Sequence, residues 1–144
     1  MKILIINGPN LARLDIRDSS IYGDLSYPQL IDFIASAAKE LGFEADVRQS
    51  DDESQIIGWL HEAADAAVPV IINPAAFTHY SYAIRDAADL LKAPLIEVHL
   101  SNPMAREEFR HTSVISGVST GTIAGFGPNS YVLALRAMKS LVQK

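Results

Sequence analysis

The feature that most constrains the fold is an alternation. Short β-rich apolar runs are followed, repeatedly, by stretches whose apolar residues recur at helical spacing. Ile3-Leu4-Ile5-Ile6 reads as a buried first strand. Leu30, Ile31, Phe33, Ile34, Ala37, Ala38 and Leu41 then fall at helical spacing, with Ser26 as N-cap, Pro28 in the first turn and Gly42 as the stop. Phe43–Gln49 reads as a second strand, less apolar and so nearer an edge. Ser50 and Glu53 have the spacing of a capping box, ahead of a helix with Ile56, Ile57, Leu60, Ala63, Ala64 and Ala67 on its apolar side. Val68–Asn73 is a third strand. A helix from Ser81 to Lys92 carries Ala83, Ile84, Ala87, Leu90 and Leu91. Pro94–Leu100 is a fourth strand, Ser119–Gly125 a weaker fifth, and Asn129–Val142 the closing helix.

Alternating β and α predicts an α/β fold, a parallel sheet with helices on both faces. Right-handed crossovers leave few topologies, and five strands at this length predict a flavodoxin-like three-layer fold with strand order 2-1-3-4-5. The 144 residues suit one domain, 1–144, and 49% hydrophobic residues supply its core. A net charge of −5 without a basic block argues against nucleic acid as a partner. There is no cysteine, hence no disulfide framework and no thiolate site, which fits a reducing compartment. The opening apolar run is too short for a signal peptide or a membrane span. The expectation is a soluble cytoplasmic protein with no membrane partner.

Open parallel sheets bind ligands beyond the carboxyl ends of their strands, where strand order reverses. That rule selects the segments after strands 1, 3 and 4, which hold the unusual polar residues. After strand 1 comes Asn7–Gly23, NGPNLARLDIRDSSIYG, too polar and too punctuated for a helix and expected to be a mobile loop. Arg13 and Arg17 lie close in sequence to Tyr22. A phenol ordinarily titrates near about 10, and a neighbouring guanidinium favours its phenolate, which makes Tyr22 a candidate general base. After strand 3, Asn73 and His79 flank a Pro-containing turn leading into a helix, where both can bind a polyhydroxylated ligand and free N–H groups favour an anion. After strand 4 come His99, Ser101, Asn102, Arg106 and Arg110. Glu97 and His99 are two apart on a strand and share a face. A carboxylate beside an imidazole favours the protonated ring, which suits a general acid. Ser101 and Asn102 can hold a carboxylate. Of Arg106 and Arg110, four apart in a charge run, one is expected to reach the site. His61 and His111 receive no role.

Metal is not expected, since the histidines are scattered and no HExxH is present. No GxGxxG or P-loop follows the first strand, so no nucleotide cofactor is expected either. Lys2, Lys39, Lys92, Lys139 and Lys144 lie outside the rim clusters, which disfavours imine chemistry.

These residues resemble the type II 3-dehydroquinate dehydratases over almost the whole chain. The resemblance rests on NGPN with the Arg and Tyr-Gly that follow, on NPAAFTHYSYAIRDA, and on PLIEVHLSNPMAREEFRHTSVIS. It implies a flavodoxin-like subunit assembled as trimers within a dodecamer. The implied reaction is cofactor-free trans elimination of water from 3-dehydroquinate to 3-dehydroshikimate, in aromatic amino acid biosynthesis or in quinate use. By the same resemblance Tyr22 is the base, activated by Arg17. Asn10 holds a water at the enolate, and His99, supported by Glu97, is the acid. Asn73, His79, Ser101, Arg110 and the backbone at Leu100 bind substrate, and Asp86 reaches in from a neighbouring subunit. The departures concentrate in the lid. Ala12 replaces a usual asparagine, Asp15 a usual glycine and Ser19 a usual proline, while Ala75 replaces a glycine after strand 3. Asp15 could pair with Arg13 or Arg17 and weaken activation of Tyr22. The departures raise an alternative, a weak or silent relative that binds a quinate-like ligand or serves as an oligomeric scaffold.

Overall fold

The computed structural model describes residues 1–143. Five parallel strands, β1 (Lys2–Asn7), β2 (Glu44–Gln49), β3 (Val70–Asn73), β4 (Leu95–His99) and β5 (Gly121–Ala124), form one sheet in the order β2-β1-β3-β4-β5. The helices are α1 (Ser19–Tyr22), α2 (Tyr27–Glu40), α3 (Glu53–Ala66), α4 (Tyr82–Ala88) and α5 (Asn129–Val142).

The two-residue period of a strand builds both faces of the sheet. Ile3, Ile5, Ile71, Ile96 and Val98 pack into one apolar layer with Leu30 and Ile34 of α2 and Leu135 and Met138 of α5. Leu4, Ile6, Val70, Ile72 and Leu95 pack into the other, with Ile56 and Leu60 of α3 and Ile84 and Ala87 of α4. A sheet covered on both faces needs near-continuous apolar strands, which is how β1 and β3 read. The outer strands β2 and β5 are half exposed, as edge strands tolerate.

Local expectations are corrected at two helices. Ser50 and Glu53 do not form a capping box. The N-cap of α3 is Asp52, which accepts from the Ser54 N–H at 2.9 Å. Ser50 Oγ instead accepts from the Asp52 N–H, and the Glu53 carboxylate accepts from the Ser81 hydroxyl on the neighbouring helix. The capping box that does form joins Ser26 and Gln29 at the start of α2. Helix α4 stops at Ala88 rather than Lys92, because the N–H groups of Leu90 and Leu91 turn back three residues, to Ala87 and Ala88. That tighter winding breaks the α register, leaving Leu90 57% exposed where helical periodicity would bury it; Ala83 is exposed as well.

The sheet places the strand ends that matter side by side. Asn7 and Asn73 are register partners at the carboxyl ends of β1 and β3, and His99 ends β4. Just beyond them the chain crosses itself tightly. The Gly8 N–H donates to the Asn73 carbonyl at 2.8 Å, and a Cβ on Gly8 would stand 2.5 Å from the Pro74 carbonyl oxygen. Only glycine permits that approach.

Candidate active site

The segment after β1 is built of short turns pinned by its own side chains. Asn10 takes a left-handed conformation, φ 68°, and its N–H donates to Asp51 Oδ1 at 2.9 Å. A 3-10 turn over Leu11–Arg13 follows, and Leu11 and Leu14 are buried as anchors. Asp18 caps α1, accepting from the N–H of Ser20 at 3.0 Å and from its hydroxyl at 2.6 Å. Gly23, at φ 92°, ends it. Tyr22 therefore sits on a one-turn helix and not in the structureless loop that composition predicts. The local caps override the punctuation.

Two guanidiniums address Tyr22. Arg17 Cζ lies 3.6 Å from the centroid of the phenol ring, a stacked cation–π contact. Arg106 Nη2 donates to Tyr22 Oη at 2.7 Å, while its Nη1 donates to Ser101 Oγ at 3.2 Å. Burial lowers the Arg17 pKa from its ordinary value, with repulsion from Arg106 and Arg110 adding to it and Tyr22 opposing it. Three arginines crowd one opening, an electropositive mouth suited to an anion.

On β4, Glu97 is wholly buried. His99 Nε2 meets Glu97 Oε2 at 2.5 Å, the Thr78 hydroxyl donates to the same oxygen at 2.6 Å, and the Ser116 hydroxyl donates to Oε1 at 2.7 Å. The Ser113 hydroxyl lies 2.9 Å from Oε1. Burial pushes the Glu97 carboxyl up, but the hydrogen bonds and charge of His99, with Thr78 and Ser116, outweigh it and hold the pKa below the ordinary value. Because the Nε2 side of His99 faces the carboxylate, Nδ1 is the ring nitrogen able to serve a ligand.

The turn after β3 completes the wall. Asn73 Oδ1 accepts from the Ala75 N–H at 3.1 Å, so that N–H is not free for an anion as the turn had suggested. Ala75 itself sits at φ 52°, a conformation glycine adopts more easily. His79 Nδ1 lies 2.8 Å from the Thr112 carbonyl, and its ring packs edge-on to Phe109 at 5.9 Å.

Of the residues singled out by sequence, Asn10, Arg17, Tyr22, Asn73, His79, His99, Leu100, Ser101 and Arg110 line one cavity, and Glu97 stands behind His99. Asn102 is not in that lining. Its side chain accepts from the Met104 N–H at 3.1 Å and shapes the turn instead. Asp86 is exposed on α4 and takes no part in the cavity of its own chain. Lys2, Lys39, Lys92 and Lys139 line no part of the cavity, and Lys144 lies outside the described residues. Sequence reasoning expected only one arginine of the charge run, yet both Arg106 and Arg110 reach the cavity. It also passed over Thr78, Ser113 and Ser116, whose hydroxyls cradle Glu97. Among the described residues no group of three or more His, Asp or Glu side chains could hold a metal ion, and no helix is long and apolar enough to cross a membrane.

Residues 1–139 match the family described as dehydroquinase class II. The chain belongs to the class II dehydroquinase family. It is 53% identical over 135 residues to the 3-dehydroquinate dehydratase of Salinispora tropica, covering 94% of each chain. It is 52% identical over 142 residues to that of Caldicellulosiruptor bescii, covering 98% of each. In structure it resembles the type II dehydroquinase of Propionibacterium acnes, with a TM-score of 0.94, 51% identity and 96% of each chain covered.

Within this class II dehydroquinase scaffold the unusual residues after β1 have visible outcomes. Asp15 pairs with Arg13, at 3.1 Å and in solvent, and leaves Arg17 to stack on Tyr22. Ser19 opens α1 directly after the Asp18 cap. Ala12 is exposed within the first 3-10 turn.

Proposed function

We propose that the chain is a type II 3-dehydroquinate dehydratase, eliminating water from 3-dehydroquinate to give 3-dehydroshikimate through an enolate. The observation that carries this reading is that one cavity is lined both by a phenol addressed by two arginines and by an imidazole held by a buried carboxylate. Tyr22 removes a proton from the carbon next to the ketone. The negative charge on its oxygen is stabilised by Arg106 at hydrogen-bond distance and by Arg17 over the ring. Asn10 helps to hold a water that donates to the enolate oxygen, where preorganised donors act most strongly. His99, as imidazolium against Glu97, gives a proton to the departing hydroxyl. Asn73, His79, Ser101, Arg110 and the Leu100 backbone bind the substrate's hydroxyls and carboxylate. The chain works as one catalytic domain without a cofactor, in the cytoplasm. Trimers within a dodecamer would bring Asp86 of a neighbouring subunit to the site, a role that its exposure on α4 permits.

The enone product absorbs in the ultraviolet, so mixing purified protein with 3-dehydroquinate should raise the absorbance. Tyr22→Phe should suppress the rise. Thermal stabilisation by 3-dehydroquinate without any rise would favour the silent-relative alternative, and full activity in Tyr22→Phe would remove that residue from the role of base.

A further inference from the structure

Behind the cavity a chain of buried hydrogen bonds ends on Asn73. The Tyr131 hydroxyl, on α5, sits between the two strand-end asparagines, 3.0 Å from Asn73 Nδ2 and 2.5 Å from Asn7 Oδ1. Tyr131 and Asn7 are fully buried. Asn7 Nδ2 continues the chain to Tyr27 Oη at 3.4 Å. An amide alone could sit either way round, because its oxygen and nitrogen are nearly the same shape. Here the direction is forced. The Ala75 N–H can only donate, so the Asn73 atom facing it is the oxygen. The other Asn73 atom is then an N–H donor, the Tyr131 oxygen accepts from it, and the Tyr131 proton passes to Asn7 Oδ1. Burial pushes the Tyr131 phenol up, so that proton stays in place across the working pH range. No buried side-chain polar atom among the described residues lacks a partner, so reversing any one amide would break the set.

We propose that Tyr131, seconded by Asn7, is a positioning residue that holds the Asn73 amide in the orientation set by the Ala75 N–H, with one Nδ2 hydrogen engaged by the phenol and the other left for a ligand in the cavity that Asn73 lines. Asn73 then presents a donor to the ligand, while its carbonyl oxygen is engaged by the Ala75 N–H. The bound group opposite that N–H must offer a lone pair, as a hydroxyl, carbonyl or carboxylate oxygen does, and an ammonium, which has none, is disfavoured there. The inference rests on the dehydratase reading only for its kinetic consequence.

Tyr131→Phe keeps the ring and deletes the hydroxyl. It should raise KM for 3-dehydroquinate three- to tenfold, with a smaller loss in kcat. In an Asn73→Ala background the same substitution should leave KM where Asn73→Ala alone puts it. An equal KM effect in both backgrounds, or none in either, overturns the proposal, since a merely structural hydroxyl would act regardless of residue 73. KM does not depend on the fraction of enzyme that folds, so poor folding does not mask the result. Asn7→Leu, which fills the space without the acceptor oxygen, is a second variant expected to raise KM in the same direction. A readout free of substrate separates this inference from the dehydratase reading. In ligand-free wild type the Asn73 side-chain amide protons should exchange with solvent at least tenfold more slowly than those of exposed Asn102, and Tyr131→Phe should abolish the difference. Unchanged exchange overturns the lock even in an active enzyme, whereas a lack of turnover by wild type with the protection intact would count against the dehydratase alone.

Discussion

The two sides of the cavity are made in different ways. The His99 side stands on the end of a central strand, with its carboxylate out of solvent and every oxygen of that carboxylate engaged. The Tyr22 side stands on a one-turn helix, capped by an exposed aspartate and tied to the body by buried Leu11 and Leu14, by the Asn10–Asp51 hydrogen bond, by the packing of the Tyr22 ring and by its hydrogen bond from Arg106. The first is part of the folded core, whereas the second is a largely exposed surface segment. On the proposed mechanism the proton donor gains from the fixed environment, and the exposed segment can admit substrate and then exclude water.

That contrast can be broken or sharpened by substitution. Tyr22→Phe should lower kcat by about a thousandfold, in the range of a lost general base, while leaving the midpoint of urea unfolding unchanged. A marked loss of stability would show that the lid is part of the core after all. Glu97→Ala should do both kinds of damage, because it strands the donors of Thr78, Ser113, Ser116 and His99. We expect about 3 kcal/mol of lost stability together with lost activity. Acid provides the milder version of that experiment. The folded-state pKa of Glu97 lies below its ordinary value, so its contribution is present above about pH 4.3 and is lost as the pH falls through the folded value. Unfolding curves taken downward from neutral pH should show wild type losing stability over that acid range, and Glu97→Gln should lose less. Arg106→Ala removes a charged hydrogen bond from the Tyr22 oxygen and should lower kcat about ten- to a hundredfold, again with the unfolding midpoint held. Ala75→Gly should relieve the left-handed strain and raise stability by about 1 kcal/mol, measured by thermal unfolding. Asp15→Ala should change neither stability nor kcat measurably, because its partner is Arg13 in open solvent. A fall in activity would mean that Asp15 has a part in closing the lid.

The contrast also explains which features the sequence disclosed. The sheet and its order follow from apolar runs such as Ile3–Ile6 and Val70–Ile72, because burial on both faces demands continuous hydrophobicity. Glu97 and His99 were legible as a pair because strand geometry makes residues two apart neighbours. The arginines were harder. Arg106 and Arg110 are four apart, which on an α-helix would put them on one face, but the chain there runs through separate 3-10 turns with Arg106 extended between them. No α periodicity could say which one points inward, and in the event both do. Ser113 and Ser116 were invisible because nothing in a serine's neighbours reveals that a carboxylate from another strand lies above it. The Ser50–Glu53 box failed for the opposite reason. The pattern was present, but Asp52 lay closer to the helix start and Glu53 was drawn to Ser81 on the next helix.

The tight crossing at Gly8 has a further consequence. The start of the segment that leads to Tyr22 and the turn carrying Asn73 are pressed together where a single methyl group would not fit. The distance between those two segments is thereby set by a backbone gauge block, independent of the side chains that decorate either one. A bulkier residue at position 8 would wedge the mouth open and put every group beyond it out of alignment at once.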